Sequence, residues 1–142
     1  MYAMELVESS GNPRAVNRTS GAIGLFQIMP GPNGGLEHYN TFAPGMDYMI
    51  KDLFNPNINI KIATWLNDQN LEYFKGCKVQ TVNAFNMGVA NNNAGKFYFQ
   101  YCTNILGYTP TSNYLNDFYV TNKSSNKKEW YIIRKDLYNR EL

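Results

Sequence analysis

The chain has 142 residues, 44% of them hydrophobic and 15% aromatic, which suits one domain able to bury a core. Charged residues reach only 17% and the formal net charge is +2, so neither a disordered acidic segment nor a dedicated nucleic-acid binder with a basic stripe is expected. No apolar run approaches the roughly 20 residues that cross a bilayer, and an integral membrane protein is not expected either. The surplus of Tyr and Asn over Lys and Glu gives a polar, hydrogen-bonding surface with flat aromatic faces. That suits sugars, although an AT-rich genome would produce the same bias.

The apolar spacing is mostly helical. Met1, Met4 and Glu8 share one helical face, so a carboxylate projects from an apolar stripe. Gly24-Leu25-Phe26-Gln27-Ile28-Met29-Pro30 follows as an apolar run with one Gln, flanked by glycines that permit close backbone approach. Between Pro30 and Gly45 the richness in Gly, Pro and Asn reads as a long loop. Met46, Met49, Ile50 and Leu53 then follow i, i+3, i+4, i+7 until Asn55-Pro56. Pro56 can open the next helix, which places Ile58, Ile62, Trp65 and Leu66 on one face. Val79, Val82 and Phe85 begin a third stripe. Ala94, Phe97, Tyr98, Tyr101 and Ile105 form a fourth, closed by Gly107. Trp130, Ile133 and Leu137 mark an amphipathic helix over about 122–142. The expected fold is mainly α: a compact bundle of short helices with a long Gly/Pro-rich loop and at most a minor hairpin in the Gly20s or Pro30s.

Cys77 and Cys102 allow one disulfide or two free thiols, and their spacing fits no metal site. With one histidine, His38, and no Cys/His cluster, neither a zinc centre nor any other cofactor is expected. Met1-Tyr2-Ala3-Met4 has no basic n-region and no long apolar core. The chain is therefore expected to reach its compartment by another route, or to be a mature or excised domain.

Three positions carry chemistry. Burial raises a carboxyl pKa because the charged form loses hydration, so Glu8 at the edge of a core suits a general acid for glycoside cleavage. The bland alternative is a surface Glu near a helix C-terminus. Asn86 lies at i+7 from Val79 and i+4 from Val82, on the face they bury, where an amide must find a partner in the protein, water or a ligand. Gln27 stands alone in its apolar run, as a satisfied turn residue or as a ligand contact.

In chain order these motifs make a pattern. Glu8-Ser9-x-x-Asn12-Pro13, Gly21-Ala22-Ile23-Gly24-Leu25-Phe26-Gln27-Ile28-Met29-Pro30 and Ala84-Phe85-Asn86-Met87-Gly88 together resemble the soluble lytic transglycosylase (SLT) domain, a goose-type lysozyme-like family that cleaves peptidoglycan glycan strands. Asn55-Pro56-x-x-Asn59-Ile60 with Trp65-Leu66 resembles the family's connecting helix, and Thr111-Ser112-Asn113-Tyr114 its last motif. The resemblance covers about residues 5–120 and implies a single lysozyme-like domain over 1–142.

It also implies roles. Glu8 would be the catalytic acid and then base, with Ser9 helping to orient it. Gln27 would bond a sugar N-acetyl or hydroxyl group, Met29 and Phe85 would wall the pyranose rings, and Asn86 and Tyr114 would line the cleft. A second carboxylate would be sought at Glu37, Asp47 or Asp52, whose expected environment is solvent. The expected partner is peptidoglycan, met by a monomer at the cell wall, in the periplasm or on the outside of a cell or virion. A secretion, conjugation or virion-assembly partner is also compatible with the family. The chain departs from the family at Asn17, where Ser is common, and by one extra residue before Gly21. Phe85 replaces a usual Tyr, and Pro110 an acidic residue. Two further readings stay open: a lysozyme-type hydrolase acting on the same bond with water, and a weakly active peptidoglycan-binding or assembly module.

Overall fold

The computed structural model describes residues 1–107, 118–121 and 131–134. It is mainly helical and divides within one long helix into two compact units, Met1–Gln69 and Asn70–Leu142.

The first unit opens with α1, Tyr2–Ser9, which buries Met4. Met4 meets α3, Pro56–Tyr73, where the Asn67 amide donates to the Met4 sulfur (3.4 Å) and to the Ala63 carbonyl (3.1 Å). Pro56 does open α3, and Ile62 and Ala63 are fully buried on its inner face. Between these helices the chain folds into a small knot of backbone bridges. Val16 pairs with Ile23, and Ile23 pairs with Ile28, closing the tight turn Gly24–Gln27. Leu25, Phe26 and Ile28 are buried there, so the apolar run is core.

The stretch from Pro30 to Gly45 is not all loop, because it contains α2, Gly35–Phe42. Leu36 and Tyr39 bury one face, and the Glu37 carboxylate accepts the Asn33 N–H (2.7 Å), satisfying a donor ahead of the helix. Pro44 then biases the preceding residue away from helical dihedrals. The stripe Met46–Leu53 is likewise shorter than its spacing predicts. Only Ile50–Phe54 is helical, as a 3₁₀ turn, and Met46 and Met49 are exposed. Asn40 explains this. Its amide accepts the Tyr48 N–H (3.0 Å) and donates to the Tyr48 carbonyl (2.8 Å), fixing that backbone outside a helix.

The second unit contains α4 (Lys78–Met87), α5 (Val89–Asn93), β1 (Lys96–Tyr98), α6 (Phe99–Leu106), β2 (Phe118–Thr121) and β3 (Tyr131–Arg134). The strands form an antiparallel sheet in the order β1-β3-β2, with Phe97 and Val120 both opposite Ile132. The expected C-terminal helix is therefore corrected at Tyr131–Arg134, and the rest of it lies outside the described residues. Tyr-Ile-Ile-Arg and Phe-Tyr-Val-Thr are runs of aromatic and β-branched residues that favour strand, which outweighs the i, i+3, i+7 spacing of Trp130, Ile133 and Leu137. The fourth stripe also starts later than Ala94, at Phe99, and ends at Gly107 as its spacing predicts.

Asn83 holds β1 in place. Fully buried, it donates to Asn92 Oδ1 (2.8 Å) and the Lys96 carbonyl (2.9 Å), and accepts the Tyr98 N–H (2.8 Å). Extended Lys96–Tyr98 takes the place of helix because this amide satisfies its backbone. The Cys102 thiol lies against the same oxygen at 3.9 Å. Cys77 and Cys102 are both free thiols.

Asn83→Ala leaves one N–H and two acceptors without their partner, and we expect it to cost about 2–4 kcal/mol in chemical denaturation. A loss below about 0.5 kcal/mol would rule out the clamp. Burial pushes the Cys102 thiol up to about 12. Its protonated form therefore supports the fold fully below pH 9, and that support is lost as pH rises toward 12. The wild type should lose more stability over that window than Cys102→Ala, and parallel curves would contradict it.

Candidate active site

Glu8 sits in the last turn of α1, half-buried, one residue before the helix ends. Ser10 (φ 55) and Gly11 (φ 76) turn the chain sharply after it, with the Ser10 N–H returned to the Leu6 carbonyl. This abrupt stop leaves Glu8 at a helix end instead of in mid-helix. Ser9 is placed beside it, but its hydroxyl donates to the Glu5 carbonyl one turn back (3.2 Å).

A relay of backbone bonds then leads to Gln27. The Asn12 N–H meets the Ser9 carbonyl, and the Ala15 N–H meets the Asn12 carbonyl. The Ala15 carbonyl in turn receives both the Gly24 N–H (2.8 Å) and the Gln27 side-chain amide (3.3 Å). The same amide nitrogen also donates to the Gly24 carbonyl (3.0 Å). Two carbonyls thus hold the Gln27 amide plane and direct its chemistry, leaving Oε1 as its acceptor. Gln27 itself has φ 49, a left-handed conformation that non-glycine residues rarely adopt. Met29, two residues on, is 39% exposed and can offer its thioether as an apolar wall.

The extra residue before Gly21 is absorbed in a turn. Asn17 Oδ1 accepts the N–H groups of Thr19 and Ser20 (2.9 Å each), and the Gly21 N–H meets the Asn17 carbonyl (2.7 Å). The Asn17 oxygen is thus committed to holding this loop.

The second unit carries Phe85 and Asn86 in the last turn of α4. Phe85 is half-buried. Asn86 is exposed, which corrects the expectation that it faces the buried side of the helix. Asn83, four residues after Val79, completes the buried stripe instead, because Lys96 and Tyr98 supply it with partners. Tyr114 and the motif around it lie outside the described residues.

Residues 1–100 match the Transglycosylase SLT domain family. The chain belongs to this family. It is also 32% identical over 142 aligned positions to Membrane-bound lytic murein transglycosylase E of Buchnera aphidicola subsp. Baizongia pistaciae. That alignment covers 96% of the chain and 66% of the relative, so the chain spans just under two thirds of its length. In this SLT chain, Glu8, Gln27, Phe85 and Asn86 all fall inside the matched residues.

Two of the other carboxylates near these motifs have structural work. Glu37 accepts the Asn33 N–H (2.7 Å) ahead of α2, and Asp52 accepts the Met49 N–H (2.7 Å) at the start of the 3₁₀ turn. Among the described residues no group of His, Cys, Asp and Glu could hold a metal, and no helix is long and apolar enough to cross a membrane.

Asn59, a letter of the connecting-helix motif that carried no role of its own, is bonded to Phe26, Ile23 and Leu53. It is fully buried, and Asn59, Ile62, Ala63 and Leu66 follow i, i+3, i+4, i+7. A polar residue on that stripe was the available signal. The hold of Glu37 on Asn33 is testable: Glu37→Gln should lower stability by about 0.5–1 kcal/mol while glycan cleavage is retained. Loss of cleavage in a stably folded Glu37→Gln chain would make it a second catalytic carboxylate.

Proposed function

We propose that this SLT chain is a peptidoglycan lytic transglycosylase, cleaving the β-1,4 bond between N-acetylmuramic acid and N-acetylglucosamine with Glu8 as acid and then base. The observation that carries the reading is the placement of Glu8: half-buried at an abrupt helix end and joined by the Ala15 relay to an amide whose oxygen is free to accept. Family membership supports the reaction class, and the relative's printed name supports murein as the polymer.

In this scheme protonated Glu8 gives its proton to the glycosidic oxygen, and the bond from the muramic C1 to that oxygen breaks. The substrate's acetamido oxygen stabilises the positive charge developing at C1. The Glu8 carboxylate then takes the proton from the muramic C6 hydroxyl, whose oxygen bonds to C1 and closes a 1,6-anhydro ring. Glu8 ends protonated, as it began, and no water is consumed. One carboxyl suffices in this scheme; Glu37 and Asp52 each hold a backbone N–H, and Asp47 is exposed. A retaining glycosidase would need a second carboxyl about 5–5.5 Å away.

Gln27 Oε1 would accept an N–H or O–H from the sugar and Met29 would offer an apolar wall to a ring; Phe85, Asn86 and Tyr114 would add sugar contacts, as the family resemblance implies. Ser9 would steady Glu8 through the backbone of α1. The chain would act at the cell wall, in the periplasm or outside the cell or virion, as a monomer on glycan strands. A secretion, conjugation or virion machine that must open the wall is the setting in which such an activity would be used.

Muropeptides released from purified peptidoglycan distinguish the readings. Anhydro products, about 18 Da lighter than hydrolytic ones, should form with the wild type and fall by about 10²-fold or more with Glu8→Gln. Hydrated products would mean a lysozyme-type hydrolase. Binding of glycan without release by either protein would mean a binding or assembly module.

A further inference from the structure

We propose that Asn59 is a positioning residue that sets the Gln27 amide for the glycan. This rests on the reading of Gln27 as a substrate contact. Asn59 lies on α3 and is fully buried, so it does not itself meet a sugar. Its oxygen accepts the Phe26 N–H (2.9 Å), and its nitrogen donates to the Ile23 carbonyl (3.0 Å) and the Leu53 carbonyl (2.9 Å). One amide therefore grips the Gly24–Gln27 turn at the residue before it and at the residue just ahead of Gln27. It also ties the turn to the end of the 3₁₀ segment.

The approach is close enough to demand glycine. A Cβ on Gly24 would overlap the Asn59 amide and the Leu53 carbonyl, and Gly24 has φ 80. Gln27 pays for its position with a left-handed backbone, a conformation that persists only where the surroundings over-determine it. The Asn59 clamp supplies that constraint from the protein interior, while the Gly24 and Ala15 carbonyls hold the side chain. Without the clamp the turn can relax, Gln27 leaves φ 49, and its oxygen loses its fixed direction.

A double-mutant cycle on cleavage of soluble, un-cross-linked glycan strands tests this. Gln27→Ala should lower kcat/KM by about tenfold, the value of one hydrogen bond, and Asn59→Ser should lower it comparably and in the same parameter, kcat or KM. The double variant should fall within about twofold of Gln27→Ala alone. Multiplying losses would overturn the positioning role while leaving Gln27 as a contact. An unchanged Gln27→Ala would instead overturn the reading of Gln27 itself. Thermal unfolding is followed for every variant, with rates measured well below each midpoint. Should Asn59→Ser not fold, Asn59→Asp, which keeps the volume and the acceptor, and Gly24→Ala, which crowds the amide, take its place in the cycle. Failure of all three to fold would make Asn59 purely structural and overturn the proposal.

Discussion

The first unit depends on one buried amide. A side chain that must hide one oxygen and one NH₂ group from water needs three partners nearby, and Asn59 finds them in Phe26, Ile23 and Leu53. Leaving any of these backbone groups buried and unpaired would cost about 1–3 kcal/mol, so the arrangement is hard to alter piecemeal. The apolar neighbours follow from it. Leu25, Phe26 and Ile28 can be buried in so short a turn because the polar backbone between them is bonded.

Asn83 solves the same problem in the second unit, with Asn92, Lys96 and Tyr98 as partners. In both places an asparagine replaces the backbone partner that a regular ladder would have provided. Asn40 does so at the surface, holding both polar groups of Tyr48. Some of the Asn richness that suggests a sugar-binding surface is thus scaffolding for irregular backbone. Amides are suited to this because they donate and accept without charge, avoiding the desolvation cost of a buried carboxylate.

Where the helices begin and end was legible when local chemistry decided it. Pro56 opens α3, Gly107 ends α6, and α1 carries Met4 and Glu8 on one face as spaced. Periodicity failed where a distant side chain satisfied the backbone instead: Tyr48 through Asn40, and Lys96–Tyr98 through Asn83. It failed again at Tyr131–Arg134, where β-branched and aromatic residues pair with strands distant in sequence. The motifs that place the chain in its family were legible, with Glu8 and Gln27 inside them. The contacts around Gln27 were not, because the Ala15 carbonyl has no sequence signature and Asn59 stood only as a letter of the Asn55-Pro56-x-x-Asn59-Ile60 motif, with no partner assigned. The rule of a polar residue on an apolar stripe drew attention to Asn86 when the buried amide of that helix was Asn83.

The use made of each carboxylate also bears on the chemistry. A carboxylate that accepts a backbone N–H beside a helix start is held in place by that bond. Glu37 and Asp52 are committed in this way, each within 2.7 Å of a backbone nitrogen. A nucleophile must instead approach a sugar C1, and either carboxylate could do so only by releasing its backbone N–H. Glu8 is placed differently, in the last turn of α1, where carbonyls rather than N–H groups lie unpaired and the helix dipole opposes a negative charge. The acid role proposed for Glu8 rests on this half-buried place at a helix end, apart from the backbone donors that hold Glu37 and Asp52. With Glu37 and Asp52 each held at a backbone N–H, the proposed scheme, in which the substrate's acetamido group serves in place of a second carboxylate, asks nothing further of either.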